Sequence, residues 1–382
     1  MRFLSLVMRT LRAGMFDPPK TRIWPPTIYY LPRNYRGEPY NLPLIELETR
    51  GCSWCIESGG CTMCNYGGQG RDIPSEILIA QASFALSAVR GAPYIHLVPI
   101  GSFYDDVEVP RDAREGITEL VRNSGFVEYW ATESRAGYVT EEKLAGTKEL
   151  LDEIQFEVGV GLESSDPVVR ELIIHKGERE ESFLRFYSIT KKNDVVSATH
   201  VLLKPPFLTE SEAVEDAKRS IRWSIDNGSD YVILMVMNIR RGYTLLNWLY
   251  ERGMYRLPML WSLIKVLLDL EDKYRKRVVI GGLISSETME IPARNCDKCT
   301  DYILSLLTMY QYTWDLDYLE EAWEHECECK ERWRELMGER HDSPLRERIL
   351  YYYKIVALEL FGRGWWEENS RWVEDEVRRA GD

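Results

Sequence analysis

The sequence predicts an α/β protein: a partial (β/α)6 TIM-like barrel, preceded by an N-terminal extension and followed by a helical, metal-binding C-terminal region. Three observations predict it. Six strand-like runs alternate with amphipathic helical stretches between residues 43 and 243, the pattern of a parallel sheet with helical crossovers. Side chains capable of chemistry recur at the C-terminal ends of those runs, where a (βα) barrel builds its site. All eight cysteines fall into two groups of four with more than two hundred residues between them. A doubly wound open sheet is the alternative architecture. The expected partition is 1–42 for the extension, 43–243 for the barrel and 244–382 for the helical region.

Taken in order, Leu4, Val7, Met8, Leu11 and Met15 recur at helical spacing with Arg2, Arg9 and Arg12 between them. This predicts a basic amphipathic helix, one that docks on its own domain rather than lying on a membrane. Residues 16–42, rich in proline and tyrosine, read as an irregular lead-in. Strands are expected at 44–48, 94–100, 127–132, 155–162, 199–204 and 231–237. Helices are expected near 75–90, 112–123, 141–152, 179–192 and 210–227. The strand ends carry a cysteine loop, Gly101 with Ser102, Glu133 with Arg135, Glu163 with Ser164, Lys204, and Asn238. Each has a plain reading alone: Glu163 as a helix cap, Lys204 as surface, Gly101-Ser102 as a turn. The set carries the weight. Beyond the barrel, 244–275 reads as helical, 300–325 as a helical run bracketed by the second cysteine group, and 344–380 as a charged helix.

Composition narrows the setting. At 382 residues and 45% apolar, the chain can bury a large core. It has no apolar run of the length that crosses a bilayer, and Arg9 interrupts the N-terminus before a signal-peptide core can form. A cytoplasmic chain with no integral membrane association is expected, where clustered thiols mean metal or redox chemistry rather than disulfides. The net charge of −13 gives little counterion release, so a nucleic-acid substrate would need a local basic patch or a partner to hold it. The basic runs Lys191-Lys192, Arg240-Arg241 and 273–277 read as solvated surface.

The first thiols are Cys52, Cys55, Cys61 and Cys64, set among Gly59-Gly60 and Gly67-Gly68. Three of them, Cys52-x8-Cys61-x2-Cys64, suit an iron–sulfur cluster held through three thiolates with one iron left open. Glycines let the backbone fold tightly and present N–H groups to the sulfurs.

Here the chain resembles radical S-adenosylmethionine enzymes of the elongator-catalytic-subunit-like group, and within it the archaeosine synthase radical subunits (RaSEA). The resemblance runs from about residue 43 to 335. It rests on Arg50-Gly51-Cys52-Ser53-Trp54, Gly59-Gly60-Cys61-Thr62-Met63-Cys64, Gly101-Ser102-Phe103-Tyr104-Asp105 and Glu133-Ser134-Arg135. Further along come Gly161-Leu162-Glu163-Ser164 with His175-Lys176-Gly177, then 202–210, 253–262, and Asn295-Cys296-Asp297-Lys298-Cys299. It implies a [4Fe–4S] cluster on Cys52, Cys61 and Cys64, with S-adenosylmethionine chelating the fourth iron. An electron donor would drive formation of a 5′-deoxyadenosyl radical. By position, Met63 and Tyr66 would flank the adenine, and Gly101 and Ser102 would meet the methionine amino group. Glu133, Arg135, Glu163 and Ser164 would surround ribose and carboxylate. The implied substrate is a tRNA deazaguanine bearing lysine, cleaved at a C–N bond to leave archaeosine, with a lysine-transferring, ArcS-like partner that binds tRNA. Lys204 and Asn238 are the expected substrate contacts. Two departures stand out. Cys55 is a fourth thiol, read as a spare, a competing ligand or a substrate contact, with a non-ligand favoured. Asn65 stands where glycine is expected.

Cys296, Cys299, Cys327 and Cys329 suit a closed S4 site, with zinc as the default and an auxiliary iron–sulfur cluster as the second option. His325 is a substitute ligand. Because residues at i and i+2 do not share a helix face, the helix must end before Cys327 or unwind there. Two rival functions remain: a radical enzyme acting on a peptide or lipid, and an iron–sulfur electron-transfer protein that would use Cys55 as a fourth ligand.

Overall fold

A computed structural model describes residues 2–13, 25–67, 71–283 and 289–379. The expectations placed on Met15 and Gly68 lie outside the described residues. The strands are β1 (Thr27–Tyr35), β2 (Glu38–Leu47), β3 (Tyr94–Pro99), β4 (Tyr129–Ser134), β5 (Gln155–Glu163), β6 (Val196–Leu203), β7 (Tyr231–Val236), β8 (Ile239–Arg240), β9 (Val278–Gly281) and β10 (Met289–Ile291). Eight of them form one sheet in the order β1-β2-β3-β4-β5-β6-β7-β9, parallel throughout except for the antiparallel β1–β2 pair. The short β8 and β10 pair separately.

The strand order never reverses. Right-handed crossovers that always step the same way place every helix on one face of the sheet. That excludes the doubly wound alternative, in which the order turns back at a switch point. The covering helices are α3 (Ser75–Ala88), α4 (Arg111–Asn123), α5 (Glu141–Leu151), α6 (Glu180–Lys192) and α7 (Glu210–Asp226), after α1 (Phe3–Arg12) and α2 (Ser53–Ser58). Their apolar faces, including Leu78, Ile117, Leu144 and Phe183, meet Ile45, Leu97, Trp130 and Phe156 from the strands in one core. Since successive strand residues face opposite ways, the alternate set of His96, Glu133, Gly159, His200 and Met235 turns toward the concave side. The sheet is a curled partial barrel with a greasy outer face and a polar lumen.

Two expectations are corrected. The lead-in read as irregular over 16–42 contains the β1–β2 hairpin, in register from Thr27↔Glu46 to Tyr35↔Glu38. Proline obscured it, yet Pro32 lies on the sheet's edge strand. Pro39 and Pro43 precede the stretch Leu44–Leu47 that pairs with β3, so no cross-strand donor is lost. Between the stretches read as helical beyond 243, the chain supplies β9, a seventh parallel strand where six were expected. Its four residues are too short a run to carry a strand signal in sequence.

The remaining helices are α8 (Leu245–Glu251), α9 (Leu260–Asp269), α10 (Asp272–Arg275), α11 (Thr300–Thr313), α12 (Asp317–Glu324), α13 (Glu328–Gly338), α14 (Leu345–Leu360) and α15 (Gly362–Arg379). Helix α1 docks within the molecule. Phe3, Leu4, Val7 and Met8 are buried with Tyr353, Val356 and Val373 of α14 and α15, the Phe3 ring lying 4.6 Å from that of Tyr353. The Phe3 N–H donates to Glu376 at 2.9 Å. Among the described residues, no helix is long and apolar enough to cross a membrane.

Candidate active site and thiol centres

The C-terminal ends of the parallel strands open on a cavity of about 200 Å³. Cys52, Cys61 and Cys64 line it, and Cys55 does not. Local chain geometry explains the sorting. Cys52 caps the single short helix α2, which ends at Gly59 and Gly60 with φ of 82° and 77°. Their N–H groups donate to the Cys55 and Trp54 carbonyls at 3.0 and 3.2 Å. A Cβ on Gly59 would stand 2.7 Å from Cβ of Met8, so glycine is what lets α1 lie against the loop. From α1 the buried Arg12 guanidinium donates to the Cys55 sulfur and to the Cys64 carbonyl, holding Cys55 on the α1 side. The Cys52 N–H donates to the Tyr66 carbonyl at 3.2 Å, closing the loop, and the Tyr66 N–H points at the Cys64 sulfur at 3.4 Å. Burial pushes the Cys61 thiol up to about 12. Such a thiol ionises when a metal takes the place of its proton.

Gly101, Ser102, Glu133, Arg135, Glu163 and Asn238 from the strand ends also line the cavity, together with Met63 and Tyr66 of the cysteine loop. Arg135 donates to the Lys176 carbonyl at 2.7 Å and lies over the Trp54 ring at 5.3 Å. Glu163, with φ of 68°, faces Lys176 Nζ at 3.1 Å. Asn238 spans to the Val236 and Gly282 carbonyls at 3.3 and 3.4 Å. Ser164 lies elsewhere: it is fully buried and donates to Asp216 at 2.9 Å, behind the strand end.

Lys204 does not reach the cavity either. Its ammonium pairs with Glu210, which also accepts from Ser262 and, at 3.2 Å, from the Met259 N–H. Lys204 therefore ties β6 to α9. Lys204→Met would strand a buried carboxylate, and a loss of about 3–5 kcal/mol is expected in urea unfolding. A change below about 1 kcal/mol would show that the pair is not structurally needed.

Sequence reasoning missed several residues. Glu108 accepts from the Ser53 N–H at 2.6 Å and from the Ser102 N–H, buttressing the cysteine loop against the β3 end. Nothing in the sequence flags it. Lys176 and His175 sit in a motif that was noticed but given no role. The His175 ring bridges the Gly60 carbonyl at 2.8 Å and Ser5 Oγ at 3.0 Å, joining loop to α1. Gly177, with φ of 65°, leaves room for Trp54: a Cβ there would stand 2.3 Å from the indole. Gly177→Ala should displace Trp54, which donates to the His175 carbonyl at 2.8 Å. The expected loss is about 1–3 kcal/mol, read by thermal unfolding and by a shift in tryptophan fluorescence. An unshifted spectrum with unchanged stability would refute the packing argument. His96 and His200, both lumen-facing, were also missed.

The second thiol group converges more tightly. Sulfur separations are 3.5 Å for Cys296–Cys299 and 3.4 Å for both Cys296–Cys327 and Cys299–Cys329. An S4 tetrahedron with metal–sulfur bonds of about 2.3 Å has edges of about 3.8 Å, so this spacing suits one ion rather than a four-iron cube. The helix does end before Cys327: α12 stops at Glu324 and Cys327 caps α13 in extended conformation. His325 stands outside the group of four, packed near Tyr302 and Trp261. Among the described residues, Cys52, Cys61 and Cys64 do not draw together to within 4.8 Å as these four do. Three thiols spread around a concave wall fit a body larger than one ion.

No protein-family profile matches the chain. It is 30% identical over 300 residues to the archaeosine synthase subunit beta of Methanosarcina acetivorans, covering 77% of this chain and 84% of the relative. To the same-named subunit of Thermococcus kodakarensis it is 30% identical over 308 residues, covering 78% and 93%. Among solved structures, methylornithine synthase (PylB) aligns with 93% of this chain and 90% of its own at 15% identity and a TM-score of 0.42. The archaeal Methanocaldococcus infernus Elp3 aligns with 65% and 59% at 14% identity and a TM-score of 0.42.

Proposed function

Because the chain belongs to the archaeosine synthase subunit beta family, and is a radical S-adenosylmethionine enzyme, we propose that it cleaves a C–N bond in the lysine arm of a deazaguanine base in tRNA, leaving archaeosine. The observation that carries this reading is the shared wall of Cys52, Cys61, Cys64, Glu133, Arg135 and Glu163 at the strand ends, with Cys55 held off it by Arg12. Cys52, Cys61 and Cys64 would hold a [4Fe–4S] cluster and the cavity beside them would take S-adenosylmethionine, a pair that with one electron from an external donor would supply radical hydrogen abstraction from the substrate.

The protein's own part is binding and exclusion. Gly101 and Ser102 lie beside the thiols, Arg135 and Lys176 supply positive charge, and the Met63 thioether and the flat Tyr66 ring offer apolar surface for an adenine. The enclosing strands keep water from a reactive carbon centre. The acidic chain, of net charge −13, fits a division of labour in which an ArcS-like, lysine-transferring partner in the cytoplasm brings the tRNA. The C-terminal thiols are assigned zinc with a structural role. The apolar face of α1 is buried within the fold, so this helix does not favour a lipid substrate. The electron-transfer reading needs Cys55 as a ligand.

The test is anaerobic reconstitution followed by assay of 5′-deoxyadenosine with reductant and S-adenosylmethionine, with and without lysine-bearing tRNA. Stimulation by that tRNA supports the reading. Release of 5′-deoxyadenosine that no tRNA stimulates would send the substrate elsewhere.

A further inference from the structure

Below the thiol wall the lumen continues into a deeper chamber of about 150 Å³, and Glu133, His200, Met235 and Arg240 line both spaces. At the neck, Glu133 Oε1 lies 3.4 Å from His96 Nε2 and 3.5 Å from His200 Nε2. Neither ring nitrogen makes a hydrogen bond, though both are shut off from solvent. His96 is only 5% exposed. Buried polar atoms in folded proteins are almost always partnered, so two orphans beside one carboxylate call for an occupant. Burial pushes His96 down to about 4, leaving its ring neutral. A neutral imidazole can carry its proton on Nδ1 and offer Nε2 as an acceptor.

The rest of the chamber narrows the occupant. Glu133 and the neutral His96 ring, with His200 Nε2 3.5 Å from the same carboxylate, form a cluster suited to a cation with several N–H donors. Arg33 and Arg240 also line the chamber, and their positive charge suits an anionic group on the same ligand. Aliphatic side chains of Leu44, Ile233 and Ile280 fill the wall, as methylenes require. Glu46 also lines the chamber, so carboxylates and arginines both face the space, and a ligand carrying both signs of charge meets each.

We infer that this chamber receives an aliphatic, zwitterionic amino-acid arm of the substrate, its ammonium against Glu133, His96 and His200 and its carboxylate against the arginines. The inference rests on the proposed reading of a lysine-bearing base, and it makes His96 and His200 determinants of specificity. Glu133, which the resemblance gives to the cofactor, then serves the substrate at the boundary between the two spaces.

The experiment is fluorescence anisotropy with the reconstituted protein and two tRNAs, one bearing the lysine-modified base and one bearing the same base before lysine is attached. The native protein should bind the lysine-bearing form about tenfold more tightly, a preference worth about 1.4 kcal/mol. His200→Phe and His96→Leu should bring the ratio near one, while His200→Gln, which keeps an acceptor, should retain most of it. Thermal midpoints of the variants, measured alongside, identify any that fail to fold, and the Gln variant keeps the comparison meaningful. A native preference that survives in folded His200→Phe would overturn the chamber assignment while leaving the proposed reaction standing. A native protein with no preference overturns it too. The reaction itself is judged separately, by whether lysine-bearing tRNA stimulates 5′-deoxyadenosine release.

Discussion

Cys61→Ala should abolish both the cluster and 5′-deoxyadenosine formation, and Cys52→Ala and Cys64→Ala should do the same, whereas Cys55→Ala keeps both. The three lethal positions line the cavity, and Cys61 is buried with no solvent to replace it. Cys55 has its sulfur engaged by Arg12 on the far side of α2. Losing a ligand should cost more than about a hundredfold in activity, beyond what residues outside the ligand shell cost. Cys55→Ala, which disturbs only a neighbour, should stay within about tenfold. Iron and sulfide content, visible absorbance and product release after reconstitution check the contrast. If Cys55→Ala strips the cluster as thoroughly as Cys61→Ala, the cluster is fully ligated by protein and the electron-transfer reading gains the ground.

Removing the zinc proposed for the C-terminal thiols should produce the second large effect. Cys299 is fully buried, and the four thiols pack into the core formed by α7, α9, α11 and α12. Trp261 donates its indole N–H to the Cys329 sulfur at 3.3 Å, and Trp333 donates to Ser262 at 2.8 Å, so the site is stitched into α9 and α13. Without an ion, thiols a few ångströms apart lose the bond that holds α11 to α13. The free energy of structural zinc binding is largely free energy of folding. Cys299→Ser, or chelation of the native protein, should lower stability by about 4 kcal/mol or more, the range reserved for lost metals and broken cores. Elemental analysis should find one zinc per chain. Unchanged urea unfolding after complete chelation would end the structural role. Four irons retained by a Cys52→Ala variant would make this centre an auxiliary cluster.

Much of this protein was legible in its residues because the signals were local and redundant. Six alternating strands and helices survive errors of two or three residues at their ends: the strand expected at 199–204 runs from Val196 to Leu203. Cysteine spacing is likewise read directly along the chain. The strand-end rule put Glu133, Arg135, Glu163 and Asn238 at the mouth, and the structure has each lining the cavity within two residues of its strand's end. It could not say which way a side chain turns there. Ser164 and Lys204 stand one step past their strands and face Asp216 and Glu210 instead, partners whose positions depend on α7 packing. His96 and His200 are 104 residues apart in the sequence, and each alone resembles an ordinary strand residue. Only the curl of the sheet sets both beside Glu133.

By itself the sequence determined the fold class, the division of thiols into two centres and the set of strand ends from which the site is drawn, because each is encoded in spacing along one chain. The tertiary structure alone decided that Cys55 leaves the ligand wall, that α1 reaches back to hold it there, and that two distant histidines meet at the neck of the lumen. Those outcomes depend on through-space contacts between elements far apart in sequence, where burial and the need to satisfy each polar group select one arrangement among many that the same pattern of residues permits.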